Sequence, residues 1–407
     1  MEPELTDLRP RGTAANRQGW YVLLVLALAQ FLGMSPWFAA SAVGPQLELV
    51  WSLDAQQVGW LTTSVQLGFV AGTAVAAVLN LADVIPARTY FTVSAISAAL
   101  ANAALLIAPS FEVGMILRFL TGAMLAGVYP PALKMAATWF SGGRGLALGI
   151  VVGALTAGKA TPHLIKALGG ANLEAVVVVT SSAVLVAAIL VAVLYRDGPH
   201  AFPRRPFRWS LVPSVMRDAP TRAAIGGYCG HMLELYAMWA WIPAFLAASA
   251  LRSGGAPAVD FAAFLAIASG ALGCVIGGSI ADRIGRARWT ILSMVGSGAC
   301  CILAAFVFGA PWLIIVLFVS VWGFLIVADS AQFSALVTEV APPHAVGTAL
   351  TIQVSIGFAL TALTIQGVAL AADAVGWQWA FPVLALGPAL GIAAIRPLVK
   401  KGRPDER

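Results

Sequence analysis

Residues 261–288 read FAAFLAIASGALGCVIGGSIADRIGRAR. From Phe261 to Ala281 no side chain carries a formal charge. A helix needs about 20 apolar residues to cross a hydrocarbon core of about 30 Å. The apolar residues run on without a period of two, so the segment reads as a membrane helix and not as a barrel strand. Immediately after it stand Asp282, Arg283, Arg286 and Arg288, a cluster that marks one membrane face.

Outward from this segment the pattern repeats. Twelve such runs are read along the chain. The first six are Trp20 to Val43, Val58 to Leu81, Thr89 to Ala108, Phe111 to Ala132, Gly145 to Leu168 and Glu174 to Leu194. The second six are Arg222 to Ala248, Phe261 to Ala281, Trp289 to Phe308, Pro311 to Leu336, Val346 to Ala371 and Trp377 to Ile395. Across 407 residues 60% are hydrophobic and 10% charged. Soluble domains carry roughly 25% charged residues, so a soluble enzyme is excluded and lipid is the fitting solvent. The expected fold class is an all-α membrane protein of twelve helices.

The net charge of +6 is explained by its placement. With the N-terminus in the cytoplasm, 19 of the 24 basic residues fall on that side and only Lys166 and Arg252 on the other. Arg118, Lys134 and Lys159 lie within spans. Both termini are therefore expected in the cytoplasm, and the excess is read as topology and contact with anionic lipid, not nucleic acid. Ala40-Ser41-Ala42 has the look of a signal-peptidase site, but cleavage there would break the even topology. Cys229, Cys274, Cys300 and Cys301 have no metal-ligand spacing and read as small packing residues.

The proline- and arginine-rich interval 196–221 reads as a linker between helical bundles at 1–195 and 222–407. The bundles repeat weakly. Gly145-Leu-Ala-Leu148 matches Gly347-Thr-Ala-Leu350 at an offset of 202, and Asp83 matches Asp282 at 199. Trp20 and Arg222 open spans one and seven, again 202 apart. Parallel six-helix repeats are the architecture of a large transporter class. Glycines four apart (Gly68 and Gly72, Gly149 and Gly153, Gly273 and Gly277) are expected where helices approach closely.

The loop after span eight, Gly278-Ser-Ile-Ala-Asp282-Arg283-Ile-Gly285-Arg286-Ala-Arg288, resembles the G-x-x-x-D-R-x-G-R-x-R signature of the major facilitator superfamily. In this reading Gly278 permits helix contact, Gly285 permits a tight turn, and Asp282 pairs with the arginines as a gating loop. The matching loop after span two keeps Asp83 and Arg88 but has Leu79 and Pro86 where the signature has glycines. Arg118-Phe-Leu-Thr-Gly122 resembles the family's R-x-x-Q-G motif, with Thr121 for Gln. Trp139-Phe140 through Arg144 and Gly149 resembles W-F-x-x-x-x-R-G-x-A-x-G, common among organic-anion symporters, with one residue fewer between Phe140 and Arg144. The G-x-x-x-G-P-x-x-G-G motif of drug-proton antiporters is not matched, since Ala154 and Ala157 replace its Pro and a Gly.

The resemblance implies that spans one, four, seven and ten line a central cavity. Arg118, His231, Glu234 and Asp329 fall on them, and Lys159 and His163 fall on span five. His231 and Glu234 are three residues apart on one face of span seven, about 18 Å along the helix and near mid-membrane. They read as a pair that shares a proton, with Asp329 a further proton-coupling candidate. Arg118 either handles substrate or protons or forms a structural salt bridge. Lys159 either joins Arg118 and His163 in an anion site or pairs with Glu234 or Asp329. Gln30, Trp37 and Gln353 are expected to add substrate contacts.

No P-loop or hydrolase motif is present, so neither a cofactor nor ATP is expected, and the chain is not read as an enzyme. The reading is a monomeric secondary transporter in a bacterial plasma membrane, moving a small organic or inorganic anion by alternating access with proton coupling. The alternative is a proton-driven efflux antiporter for amphipathic compounds. A sensor or scaffold would carry a soluble domain or lack the intramembrane charges, and neither holds.

Overall fold

A computed structural model describes residues 12–140, 144–169, 172–200, 207–255 and 258–399; the side chains of 12–16, 55, 82–83, 144–145 and 169 lie outside that description. Every long element is a helix, and among the described residues eleven are long and apolar enough to cross a membrane. The helix Gly12–Gly33 occupies the place of the first expected span. Leucine, isoleucine and valine side chains such as Ile189, Val193, Leu272 and Leu317 point outward, as lipid-facing helices require.

Four expected spans are not continuous; the twelfth is interrupted at Phe381, between Trp377–Ala380 and the pieces Pro382–Ala385 and Leu386–Val399. Span one stops at Gly33 instead of running to Val43, and two short helices, Ala39–Ala42 and Gly44–Trp51, follow the break. Pro36 lies in the break and has no N–H with which to continue a helix. Span four divides into Phe111–Leu125 and Tyr129–Ala137, with Pro130 and Pro131 opening the second piece. Span ten divides at the equivalent place, into Trp312–Val327 and Ser330–Val340, without a proline. Here side chains from neighbouring spans take the freed carbonyls. Trp289 Nε1 donates to Ala328 O at 2.9 Å, and Cys274 Sγ to Val327 O at 3.6 Å. Span seven begins at Ala219, earlier than the expected Arg222, because Asp218 caps it by accepting from the Thr221 amide at 3.0 Å.

The two halves pack their helices alike. In the first, spans two and four meet through Gly68, Gly72 and Gly122; a Cβ on Gly122 would sit 2.0 Å from Val65 O. In the second, spans eight and ten meet through Gly273, Gly277 and Gly323; a Cβ on Gly323 would sit 1.6 Å from Ala266 O. Gly278 does not serve this purpose, contrary to the sequence expectation, since a Cβ there meets nothing closer than 3.9 Å. Gly122→Ala is expected to destabilise the protein by about 1–3 kcal/mol through overpacking, read as a lower Tm in detergent; an unchanged Tm would refute the contact.

The halves meet through span five against eight and span two against eleven. Gly149 and Gly153 of span five face Cys274 O and Ala271 O of span eight. Specific cross-half contacts gather at the end away from the chain termini. Lys166 pairs with Asp260 at 3.1 Å, Gln366 Nε2 donates to Thr63 Oγ1 at 3.3 Å, and Phe38 packs edge-on against Trp239. At the opposite end the second pieces of spans four and ten make at most marginal contact among the described residues. The protein is closed at one end and parted at the other.

Candidate functional site

A cavity of about 70 Å³ lies between the halves. Its closed end is built around Lys159, whose surface is 2% exposed. Lys159 Nζ donates to Tyr236 Oη across the halves and sits 3.9 Å from the centre of the Trp37 ring and 5.7 Å from that of Trp239. Its aromatic neighbours stabilise the ammonium through their ring faces. Among the described residues it makes no ion pair, so the expected alternative of pairing with Glu234 or Asp329 is not what the structure holds. Below Lys159 the wall is aromatic: Phe69 and Phe358 pack with centroids 4.6 Å apart, and Tyr129 and Tyr228 follow toward the parted end.

The parted side carries His231, Ser330 and Ser334. His231 Nδ1 lies 3.0 Å from Asp329 Oδ1, though not aligned as a hydrogen bond, and Nε2 lies 2.9 Å from Ser330 Oγ. The break in span ten brings this about, because it sets Asp329 between two helical pieces and turns it toward span seven. The expected pairing of His231 with Glu234 is corrected. Glu234 faces away from the cavity and accepts from Ser297 Oγ at 2.8 Å, Trp322 Nε1 at 3.0 Å and Cys301 Sγ at 3.2 Å. Three residues on a helix put two side chains on adjacent stripes, and here the stripes face different neighbours. Cys301 and Cys274 therefore donate hydrogen bonds as well as pack.

Arg118 is fully buried yet does not line the cavity. Its guanidinium donates to Pro36 O at 2.9 Å, Trp37 O at 2.6 Å and Asn102 Oδ1 at 3.0 Å. It holds the carbonyls exposed by the break in span one, neither in a salt bridge with a described acid nor in the expected anion site with Lys159. Arg118 and Glu234 are thus counterparts: each sits at a junction of three helices in its own half and is held by dipoles, not by a described counter-ion, with only Arg118 Nε left without a partner among the described residues. Arg118→Ala leaves Trp37 O and Asn102 Oδ1 without their donor at about 1–3 kcal/mol each, while Pro36 O keeps the Ala39 amide, so a loss of a few kcal/mol is expected. A thermal melt in detergent reads it, and an unshifted Tm would overturn the assignment.

The remaining expected residues separate. Trp37 lines the cavity, whereas His163, Gln30 and Gln353 are buried, absent from its wall and without side-chain hydrogen-bond partners among the described residues. In the loop after span eight, Gly285 has φ +94°, as the tight turn requires. Arg286 pairs with Asp282 at 3.2 Å and also reaches Glu339 and Gln332 at 2.6 Å each, tying the loop to the second piece of span ten. Arg283 contributes no described ion pair there. Arg88 donates to Ala192 O on span six, and the Asp83 side chain lies outside the described residues, as does that of Arg144. The sequence reading missed the roles of Tyr236 and Trp239. Their place two and five residues beyond Glu234 on span seven was the available signal.

Two helical bundles enclosing a central cavity closed at one end define a secondary carrier. A family model described as Major Facilitator Superfamily matches residues 26–365, and the chain belongs to that superfamily. No curated protein matches it significantly. Among solved structures it is similar to a bacterial homologue of the human lysosomal transporter Spinster, in an inward-facing and unoccupied conformation. The TM-score is 0.72 and the identity 16%, over 95% of this chain and 99% of the other. At that identity the likeness concerns the fold alone. The protein is a multi-pass membrane transporter of a small solute that works by alternating access.

Proposed function

We propose that this transporter is a proton-coupled carrier of a small anion. The observation that carries the reading is Lys159, the one lysine or arginine on the cavity wall and without an acidic partner among the described residues. An ammonium left in a low-dielectric site attracts an anion strongly. His231 and Asp329 supply the proton site, on the opposite half from Lys159. The segments 1–195 and 222–407 rock as units about the cavity, with 196–221 as linker. Arginine excess places both termini in the cytoplasm of a bacterial inner membrane, so the parted end faces inward. The carrier acts as a monomer.

Purified protein in liposomes with an imposed pH gradient tests this. Accumulation of a panel of small organic and inorganic anions, collapsed by a protonophore, is the expected result. Equal movement with and without the gradient would remove the coupling, and failure to move any anion would remove the substrate class. Efflux of amphipathic compounds is favoured by the aromatic wall but opposed by Ala154 and Ala157, which stand where the antiporter motif has Pro and Gly. Unchanged drug sensitivity of a deletion strain is expected.

A further inference from the structure

We infer that the closed end of the cavity is a carboxylate cradle and that the solute is a monocarboxylate carried on a single aromatic ring. This rests on the anion-carrier reading above and narrows it. The indole N–H groups of Trp37 and Trp239 are buried and have no hydrogen-bond partner among the described residues, and both residues line the cavity beside Lys159. Buried N–H groups without partners are rare in proteins. Tyr236 Oη accepts from Lys159, which leaves its own proton to give. Lys159 and Tyr236, with the unpartnered indoles of Trp37 and Trp239 on the same wall, thus present donors and no charged acceptor. An ionised carboxylate, acceptor-only with about four lone-pair sites, is their complement.

Charge and shape narrow the class. Arg118 is consumed by carbonyls, so the cradle holds one fixed positive charge and matches one negative charge. A bare inorganic oxyanion would satisfy the donors and leave the adjoining rings uncovered. Trp37 packs on Phe69 and Phe358 at 5.2 and 5.9 Å, and Tyr236 on Phe358 at 5.2 Å, so the aromatic wall is continuous with the cradle. Flat apolar solute beyond the carboxylate finds edge and face contacts there.

Binding to the intact protein in nanodiscs tests this by calorimetry, with benzoate, benzamide, cyclohexanecarboxylate, phthalate and sulfate as probes. Benzoate is expected to bind at least about 10-fold more tightly than each of the others, the scale of one charge-assisted hydrogen bond. Trp37→Phe keeps the ring and removes the donor, and is expected to weaken benzoate about 10-fold while leaving benzamide within about twofold. Trp239→Phe serves as the second variant should the first misfold. Sulfate or cyclohexanecarboxylate binding as well as benzoate overturns the aromatic monocarboxylate and leaves the anion carrier standing. Benzoate affinity unchanged in both tryptophan variants overturns the cradle. Benzamide equal to benzoate, with accumulation of no anion in liposomes, overturns both readings.

Discussion

Lys159→Gln is expected to raise the KM for the transported anion roughly 100-fold or more, because removing one member of a buried charge pair loses about 2–5 kcal/mol. The change should not unfold the protein. Glutamine still reaches toward Tyr236, and deleting an unpaired buried charge removes a desolvation penalty. The expected outcome is therefore lost anion transport with an equal or higher Tm. A lysine that only braced the halves would show the reverse, a lower Tm with KM preserved. Transport kinetics and a thermal melt on the same preparation separate the two.

Asp329→Asn is expected to abolish pH-driven accumulation and to spare anion exchange. Asparagine keeps the shape of the carboxylate beside His231 but takes up no proton in the working range. Counterflow, which needs no net proton movement, should continue at a comparable rate while the accumulation ratio falls to one. Glu234→Gln is the contrasting variant. Its amide oxygen can still accept from Ser297 and Trp322, none of its hydrogen-bond partners lines the cavity, and Asp329, though also off the wall, lies against His231 on it, so accumulation is expected to persist in Glu234→Gln. Persisting accumulation in Asp329→Asn, with loss in Glu234→Gln, would transfer the coupling role to Glu234.

Much of the architecture was legible because lipid imposes a simple rule: long uncharged runs and arginine-rich loops need no tertiary knowledge to read. The breaks were less so. Pro36 and Pro130-Pro131 announce two of them, but Ala328-Asp329 breaks through donors brought by Trp289 and Cys274 from other spans, which no local pattern displays. The ionisable residues were found by being charged in the membrane. Their partners were not, because a helix face tells which residues stand together and not what stands opposite. His231 and Glu234 share a stretch of helix yet serve different neighbours. Lys159 was found, but the reason it stands without an acid, the enclosure by Trp37, Tyr236 and Trp239, depends on packing between halves.

The contacts that fasten the closed end are few and individually weak. Lys166 and Asp260 are about a quarter exposed, and such a pair contributes about 0–1 kcal/mol. The Gln366–Thr63 bond adds a net of about 0.5–1.5 kcal/mol. These two polar contacts hold the mouth by only a few kcal/mol, and the Lys159–Tyr236 bond and the packing of Phe38 on Trp239 add to them. A carrier whose two states differ by a few kcal/mol populates both, the minor one at about 0.1–10%. A solute that prefers one state about tenfold shifts the balance by about 1.4 kcal/mol, a sizeable part of that gap. Binding in the cavity is therefore enough to bias which side of the membrane such a carrier faces.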